Sequence, residues 1–161
     1  MCHRSYIAGN KILWPIHFHC RLRHHSVLHA SARLIYRMNR SEHITDALIS
    51  LHWLRVPERV QFKIAMLTYK ALHCTAPRYL GPLDRVAELP GRRALRSASS
   101  SRLVVPTLRL STVGSRSFNV SAPRIWNRLP EDITSAPSLS TFRRRLKTHL
   151  FQQSYPDVVV H

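Results

Sequence analysis

The chain has 161 residues, of which 44% are hydrophobic, and this is enough for one globular domain with a core. It carries 25 Lys and Arg against 8 Asp and Glu, a formal net charge of +17. This excess predicts an anionic partner or an acidic neighbour in a longer protein, and the abundance of arginine favours nucleic-acid phosphate. No stretch has the length of a transmembrane helix, so we expect no membrane partner.

The first 26 residues lack hydrophobic periodicity and are crowded with potential zinc ligands. None of the pairs has the spacing of a zinc finger, so we predict no metal site, no cofactor and a disordered leader over residues 1–26. An odd count of three cysteines and the absence of a secretory signal favour an intracellular protein of the nucleus or cytoplasm. The leader contains Cys2, His3, His17, His19, Cys20, His24 and His25.

The strongest helical pattern covers about residues 57–73. Pro57 suits an early helical position, and apolar residues recur on two nearly opposite faces. We therefore predict a central helix between two other elements of one mainly α-helical, compact domain. Gln61 and Thr68 form one narrow polar strip of this helix, and Lys63 and Lys70 form the other.

Shorter elements flank the central helix. A basic helix from Val27 is expected to bury Leu28, Ala32, Ile35 and Tyr36, and a second helix is expected to begin at Ser41. A helical turn at residues 78–80, ended by Gly81, follows the central helix. Two short strands at residues 103–105 and 108–113 predict a small β element. Two further helices are expected to open at Ser121-Ala122-Pro123 and at Ala136-Pro137-Ser138, and residues 156–161 are expected to fray.

The last helix combines an apolar stripe, formed by Leu139, Phe142, Leu146 and Leu150, with a basic remainder. A solvated basic face is the ordinary interpretation, whereas a surface that lies along a nucleic-acid backbone is the functional one. The serine- and arginine-rich segment before it offers a second candidate, and a linker without a partner is the alternative there. The candidate phosphate contacts are Arg92, Arg93, Arg96, Arg102, Arg143, Arg144, Arg145 and Lys147. The predicted core residues are Trp53, Phe62, Ile64, Leu67, Tyr69, Trp126, Phe142 and Leu146.

Several short motifs occur in an order that resembles a known family. They are Leu51-His52-Trp53-Leu54, Tyr69-Lys70-Ala71-Leu72-His73, Ala76-Pro77-Arg78-Tyr79-Leu80, Ala122-Pro123-Arg124-Ile125-Trp126-Asn127 and Leu146-Lys147-Thr148-His149-Leu150-Phe151. The set resembles the C-terminal segment, downstream of the polymerase domain, of LINE-type (non-LTR, jockey-like) retrotransposon reverse transcriptases. The resemblance covers about residues 27–155. It implies RNA or DNA backbone and the parent's polymerase domain as partners.

Two positions depart from the family pattern. Arg55 stands where the family usually has Pro, and Cys74 stands where it usually has Gly after Leu-His. Many helices end with one residue in the left-handed conformation, and a residue other than Gly adopts it at a cost of about 1 kcal/mol or more. Cys74 therefore predicts either that the helix ends differently or that this chain is slightly destabilised.

The chemistry of the family does not carry over to this chain. Polymerase activity needs clustered carboxylates around two metal ions, and the acidic residues here are scattered, with Glu131-Asp132 typical of a helix start. We therefore expect a non-catalytic fragment that supports the polymerase and contacts RNA or DNA. The alternatives are an element remnant with only a docking core, and a small metal enzyme that uses the N-terminal His/Cys cluster.

Overall fold

The computed structural model describes residues 18–88, 101–107 and 117–158, with side chains from residue 27 onward. This part of the chain is mainly α-helical, as predicted, and contains no strand. Two 3-10 turns, Arg78–Leu80 and Val86–Glu88, lie between the third and fourth helices. The helices are α1 (Phe18–Tyr36), α2 (Thr45–Ser50), α3 (Val56–Leu72), α4 (Phe118–Trp126), α5 (Glu131–Thr134) and α6 (Leu139–Ser154).

The described residues belong to two compact units. One contains those within Lys63–Arg143, and the other contains those within Ile16–Phe62 and Arg144–His161. The long helices α3 and α6 each contribute to both units.

Helix α3 is the predicted central helix, and it begins one residue before Pro57. Residues of both predicted apolar faces are half-buried, as for Ile64 and Phe62, and Tyr69 is buried. The polar strip that contains Thr68 was assigned wrongly, because Thr68 is fully buried. Its hydroxyl donates to the Ile64 carbonyl at 2.8 Å, so the burial leaves no unpaired hydroxyl proton.

The end of α3 has the left-handed geometry that a glycine would favour, although the residue there is Cys74. Its φ is +56°, in the left-handed region. The Thr75 N–H bonds the Lys70 carbonyl at 2.8 Å and the Cys74 N–H bonds the Ala71 carbonyl at 3.2 Å, which together form a Schellman motif. Cys74 is also disulfide-bonded, which the count of three cysteines did not predict.

Helix α1 starts at Phe18, inside the segment for which we predicted a leader, and residues 1–17 lie outside the described part. Leu28 and Ala32 are buried as expected, but Ile35 and Tyr36 are exposed, which corrects the predicted inner face. The reason is that α1 packs on the short helix α2, which covers only part of its circumference.

The segment after α1 is held by hydrogen bonds that the periodicity could not indicate. The Arg33 guanidinium donates to the carbonyl oxygens of Asn39, Arg40 and Glu42 at 2.5 to 3.3 Å. The Glu42 carboxylate accepts from the backbone and side-chain nitrogens of Asn39. As a result, α2 begins at Thr45 and not at Ser41.

Helix α4 corrects a second predicted boundary. It starts at Phe118, and Pro123 lies inside it. Ser121 does not cap the helix, because its hydroxyl donates back to the Ser117 carbonyl at 2.9 Å. Burial of Phe118 and Val120 accounts for the additional turn, since both side chains face the interior.

The predicted β element is reduced to one bridge in the described residues. Leu103 forms an isolated antiparallel bridge with Arg85, and residues 108–113 lie outside the described part. Residues 156–158 form a turn after α6, and the rest of the predicted tail is not described. Among the predicted core residues, Tyr69, Trp126, Phe142 and Leu146 are buried, whereas Trp53, Phe62, Ile64 and Leu67 are half-buried.

Candidate nucleic-acid interface

The candidate interface is the cationic surface of α6, and the start of this helix is fixed by Ser138. The Ser138 carbonyl accepts from the Phe142 N–H at 2.9 Å. The Ser138 hydroxyl accepts from the Thr141 N–H at 3.3 Å, the bond of a side-chain N-cap. The predicted opening at Ala136-Pro137-Ser138 is therefore confirmed.

One side of α6 is locked by burial. Phe142, Leu146 and Leu150 are at most 1% exposed and recur every four residues. In the unit that contains Phe142, its ring stacks on Tyr69 with centroids 4.5 Å apart and on Trp126 at 5.6 Å. The Tyr69 hydroxyl donates to the Ala136 carbonyl at 3.2 Å, so the aromatic cluster also fixes the chain just before α6.

The other end of α6 is held by contacts within the second unit. The Tyr155 hydroxyl donates to the Trp53 carbonyl at 3.0 Å, and the Arg55 guanidinium lies 4.9 Å from the Tyr155 ring centroid. Burial raises the pKa of Tyr155, and the hydrogen bond and charge of Arg55 oppose that rise. Arg55 thus has a structural role here.

The cations of α6 lie outside the buried stripe. Arg143, Arg144, Arg145 and Lys147 are all exposed. Arg143 and Lys147 are one turn apart on one flank of the stripe, and Arg144 points away from it. A rigid helix therefore presents several guanidinium and ammonium groups to solvent, which suits phosphate contact without a covalent or proton-transfer role.

The remaining predicted contacts are not brought to this surface in the described residues. Arg102 is exposed beside an open depression of about 250 Å³ that Trp126, Asn127 and Glu131 also line. The Glu131 carboxylate makes that depression a poor anion site. Arg92, Arg93 and Arg96 lie outside the described residues.

Asn127 is a key residue that our sequence analysis did not single out. Its side-chain amide donates to the Leu103 carbonyl and accepts from the Leu103 N–H, both at 2.9 Å. Next to it, the Trp126 indole N–H donates to the Ser101 carbonyl at 2.9 Å. The Trp-Asn pair thus fastens residues 101–103 to α4, and only its place in the family-like motif marked it in the sequence.

The described residues offer no cluster for metal chemistry. All eight Asp and Glu residues lie in the described part, and no three His, Cys, Asp or Glu side chains there come together in a way that could hold a metal ion. Glu131 and Asp132 open α5, as predicted for a helix-start pair. The N-terminal His/Cys cluster lies outside the described side chains.

Comparison with known proteins assigns the chain neither to a family nor to a known fold. No protein-family model, no curated protein and no solved structure matches the chain. Separately, none of the helices in the described part combines the length and apolar character needed to cross a membrane.

Proposed function

We propose that the chain is a non-catalytic C-terminal fragment of a LINE-type reverse transcriptase. In the parent protein it supports the polymerase domain and contacts the RNA or DNA backbone through α6. The ordered motifs support the ancestry, and the scattered carboxylates support the absence of catalysis. Such a protein acts in the nucleus or cytoplasm, where the Cys74 disulfide would be reduced.

The observation that carries the nucleic-acid role is the division of α6 into a fully buried stripe and an exposed cationic surface. Arg143, Arg144 and Lys147 are exposed next to side chains that are at most 1% exposed, so their helix cannot rotate to hide them. A formal charge of +17 favours the approach of a polyanion from long range, and this surface then supplies short-range contacts.

The proposal is tested by a salt titration with a structured RNA and a duplex DNA. The triple variant Arg143→Gln, Arg144→Gln, Lys147→Gln removes three charges from α6. A control triple variant, Arg40→Gln, Lys63→Gln, Arg128→Gln, removes three exposed charges elsewhere. Each lost phosphate contact lowers the slope of log K against log salt by about 1, so the α6 variant should lose about 3.

The control variant should keep most of the wild-type slope. Equal losses in the two triple variants would show that binding depends on total charge only, and the proposed surface would then be wrong. Circular dichroism on the same samples establishes that both variants are folded.

A further inference from the structure

The outward face of α1 is unusually apolar for a helix of so charged a protein. Leu34 is 80% exposed, Val27 65% and Ile35 56%, and Tyr36 at the end of the same helix is 45% exposed. The other exposed large apolar side chains of the described residues, Tyr79, Val105 and Leu139, belong to three different segments. Val27 and Leu34 are two turns apart, and the small residues Ala30 and Ser31 lie between them. We call Val27, Ala30, Ser31, Leu34 and Ile35 the α1 stripe. Contiguous exposed apolar surface of this kind marks an interaction site.

The side chains of the α1 stripe suit close packing against another helix. The Ser31 hydroxyl donates to the Val27 carbonyl at 2.9 Å, so its proton is already paired when the stripe is covered. Large residues at Val27 and Leu34 with small ones between them form the knobs and holes of helix packing. An insertion surface for lipid would instead carry bulky or aromatic residues along the whole face.

Charge identifies the partner. The sequence of α1, Phe18–Tyr36, contains no Asp or Glu. Of its three arginines, Arg33 is bound to carbonyl groups of the segment that follows, and the side chains of Arg21 and Arg23 lie outside the described part. Arg37 and Arg40 follow it and are exposed. A second copy would bring these cations against each other, in a chain of formal charge +17.

We propose that the α1 stripe docks an amphipathic helix of another protein segment whose apolar seam is flanked by Asp and Glu. This proposal does not depend on nucleic-acid binding by α6. The buried residues of α1, Leu28 and Ala32, keep the helix attached to its own unit while the stripe is occupied.

The test uses a synthetic helical peptide with a leucine seam and glutamate flanks. Fluorescence anisotropy measures its affinity for the full chain, for Leu34→Gln and for Val27→Thr. Both substituted side chains are largely exposed, so the variants should fold. Tyr79→Gln, which changes a singly exposed apolar residue that is 57% exposed, serves as the matched control.

We expect Leu34→Gln to weaken binding about tenfold or more and Val27→Thr to weaken it less, because each removes apolar contact area. The Tyr79→Gln variant should bind as the wild type does, and a peptide with lysine flanks should bind much more weakly. Equal binding of a scrambled peptide of the same composition would overturn the proposal, since it would show charge attraction alone.

Two further measurements decide between this partner and the other occupants. If sedimentation shows that the wild type is a dimer and that the Leu34→Gln variant is a monomer, the α1 stripe is a self-association surface. That result would contradict the proposal. If the wild type binds phosphatidylserine vesicles but not the peptide, and Leu34→Gln abolishes vesicle binding, the α1 stripe is a membrane-binding surface. That result would also contradict the proposal.

Discussion

Helices α6 and α1 contain the same classes of residue but present them differently. Both combine Leu and other apolar residues with several arginines and with no Asp or Glu inside the helix. In α6 the stripe from Phe142 to Leu150 is buried, and the exposed side chains are cationic or polar except for Leu139 at the first position, which is 37% exposed. In α1 the apolar residues are divided between a buried side and an exposed one. Periodicity therefore identifies apolar faces, but the number and length of the packed neighbours decide which of them are covered.

The difference between the two helices predicts unequal losses of stability when one apolar side chain of each helix is truncated. Phe142→Ala removes a fully buried ring that stacks on two others, and we expect it to lower the free energy of unfolding by about 3–5 kcal/mol. Leu34→Ala truncates a side chain that is 80% exposed, so it should change the free energy of unfolding by less than about 0.5 kcal/mol. Urea denaturation followed by circular dichroism measures both.

A large loss in Leu34→Ala would mean that the α1 stripe packs within the folded chain. It would contradict both the difference between the two helices and the proposed docking surface.

The second prediction concerns the Trp-Asn pair that supports the Phe142 cluster. Asn127→Ala leaves the N–H and carbonyl of Leu103 without their side-chain partner, and Leu103 is 1% exposed. We expect a loss of about 1–3 kcal/mol in the free energy of unfolding. Faster hydrogen exchange of the Leu103 amide would locate the effect.

Asn119→Ala is the control for this change, because Asn119 is exposed and lies on α4, the helix at whose C-terminal end Asn127 is the cap residue. Equal losses of unfolding free energy in the two variants would show that the hydrogen bonds between Asn127 and Leu103 do not contribute specifically to stability.

A third prediction tests the end of α3, the helix that carries Tyr69 to the Phe142 ring. Cys74→Gly and Cys74→Ala both remove the disulfide, so they are compared with each other under reducing conditions. Because φ is +56° there, the glycine variant should be more stable by about 1 kcal/mol. Equal melting curves for the two variants would show that the left-handed backbone at residue 74 carries no measurable strain.

The smallest effect is expected at the far end of α6, in alkaline solution. Burial raises the pKa of Tyr155 above its ordinary value of 10.0, so the folded chain holds this proton more tightly than the unfolded chain does. The resulting contribution to stability is complete below that ordinary value and is lost as pH rises through the folded pKa.

Tyr155→Phe should therefore lose less stability than the wild type between neutral and strongly alkaline pH. Arg55→Gln should raise the pKa of Tyr155 further, since Arg55 opposes the effect of burial. Ultraviolet titration of tyrosine ionisation measures the pKa, and a lowered pKa in Arg55→Gln would contradict the assigned cause.

How much the sequence could predict depends on the range of the interactions. The α6 stripe and its Ser138 cap follow from local spacing, and the predicted core residues Tyr69, Trp126 and Phe142 are buried. The role of Asn127 could not be derived, because its partner Leu103 is 24 residues away and no local pattern marks the pair. The exposure of Ile35 was missed because it depends on α2, a helix only six residues long.

The structural arginines were missed for the same reason. Composition treats all 25 Lys and Arg residues alike. In the folded chain Arg33 binds three carbonyl groups and Arg55 covers the Tyr155 ring, whereas Arg143 and Arg144 are exposed on a locked helix. Only the tertiary contacts separate arginines that stabilise the fold from those that can reach a phosphate.

That separation can be measured directly by nuclear magnetic resonance. The Nε–H resonances of the arginine side chains would be followed while a structured RNA is added to the labelled chain. We predict that the resonances of Arg143 and Arg144 shift or broaden in proportion to bound RNA, while those of Arg33 and Arg55 stay in place. Uniform shifts over all arginines, or shifts that leave Arg143 and Arg144 unchanged, would contradict the assignment of α6 as the nucleic-acid surface.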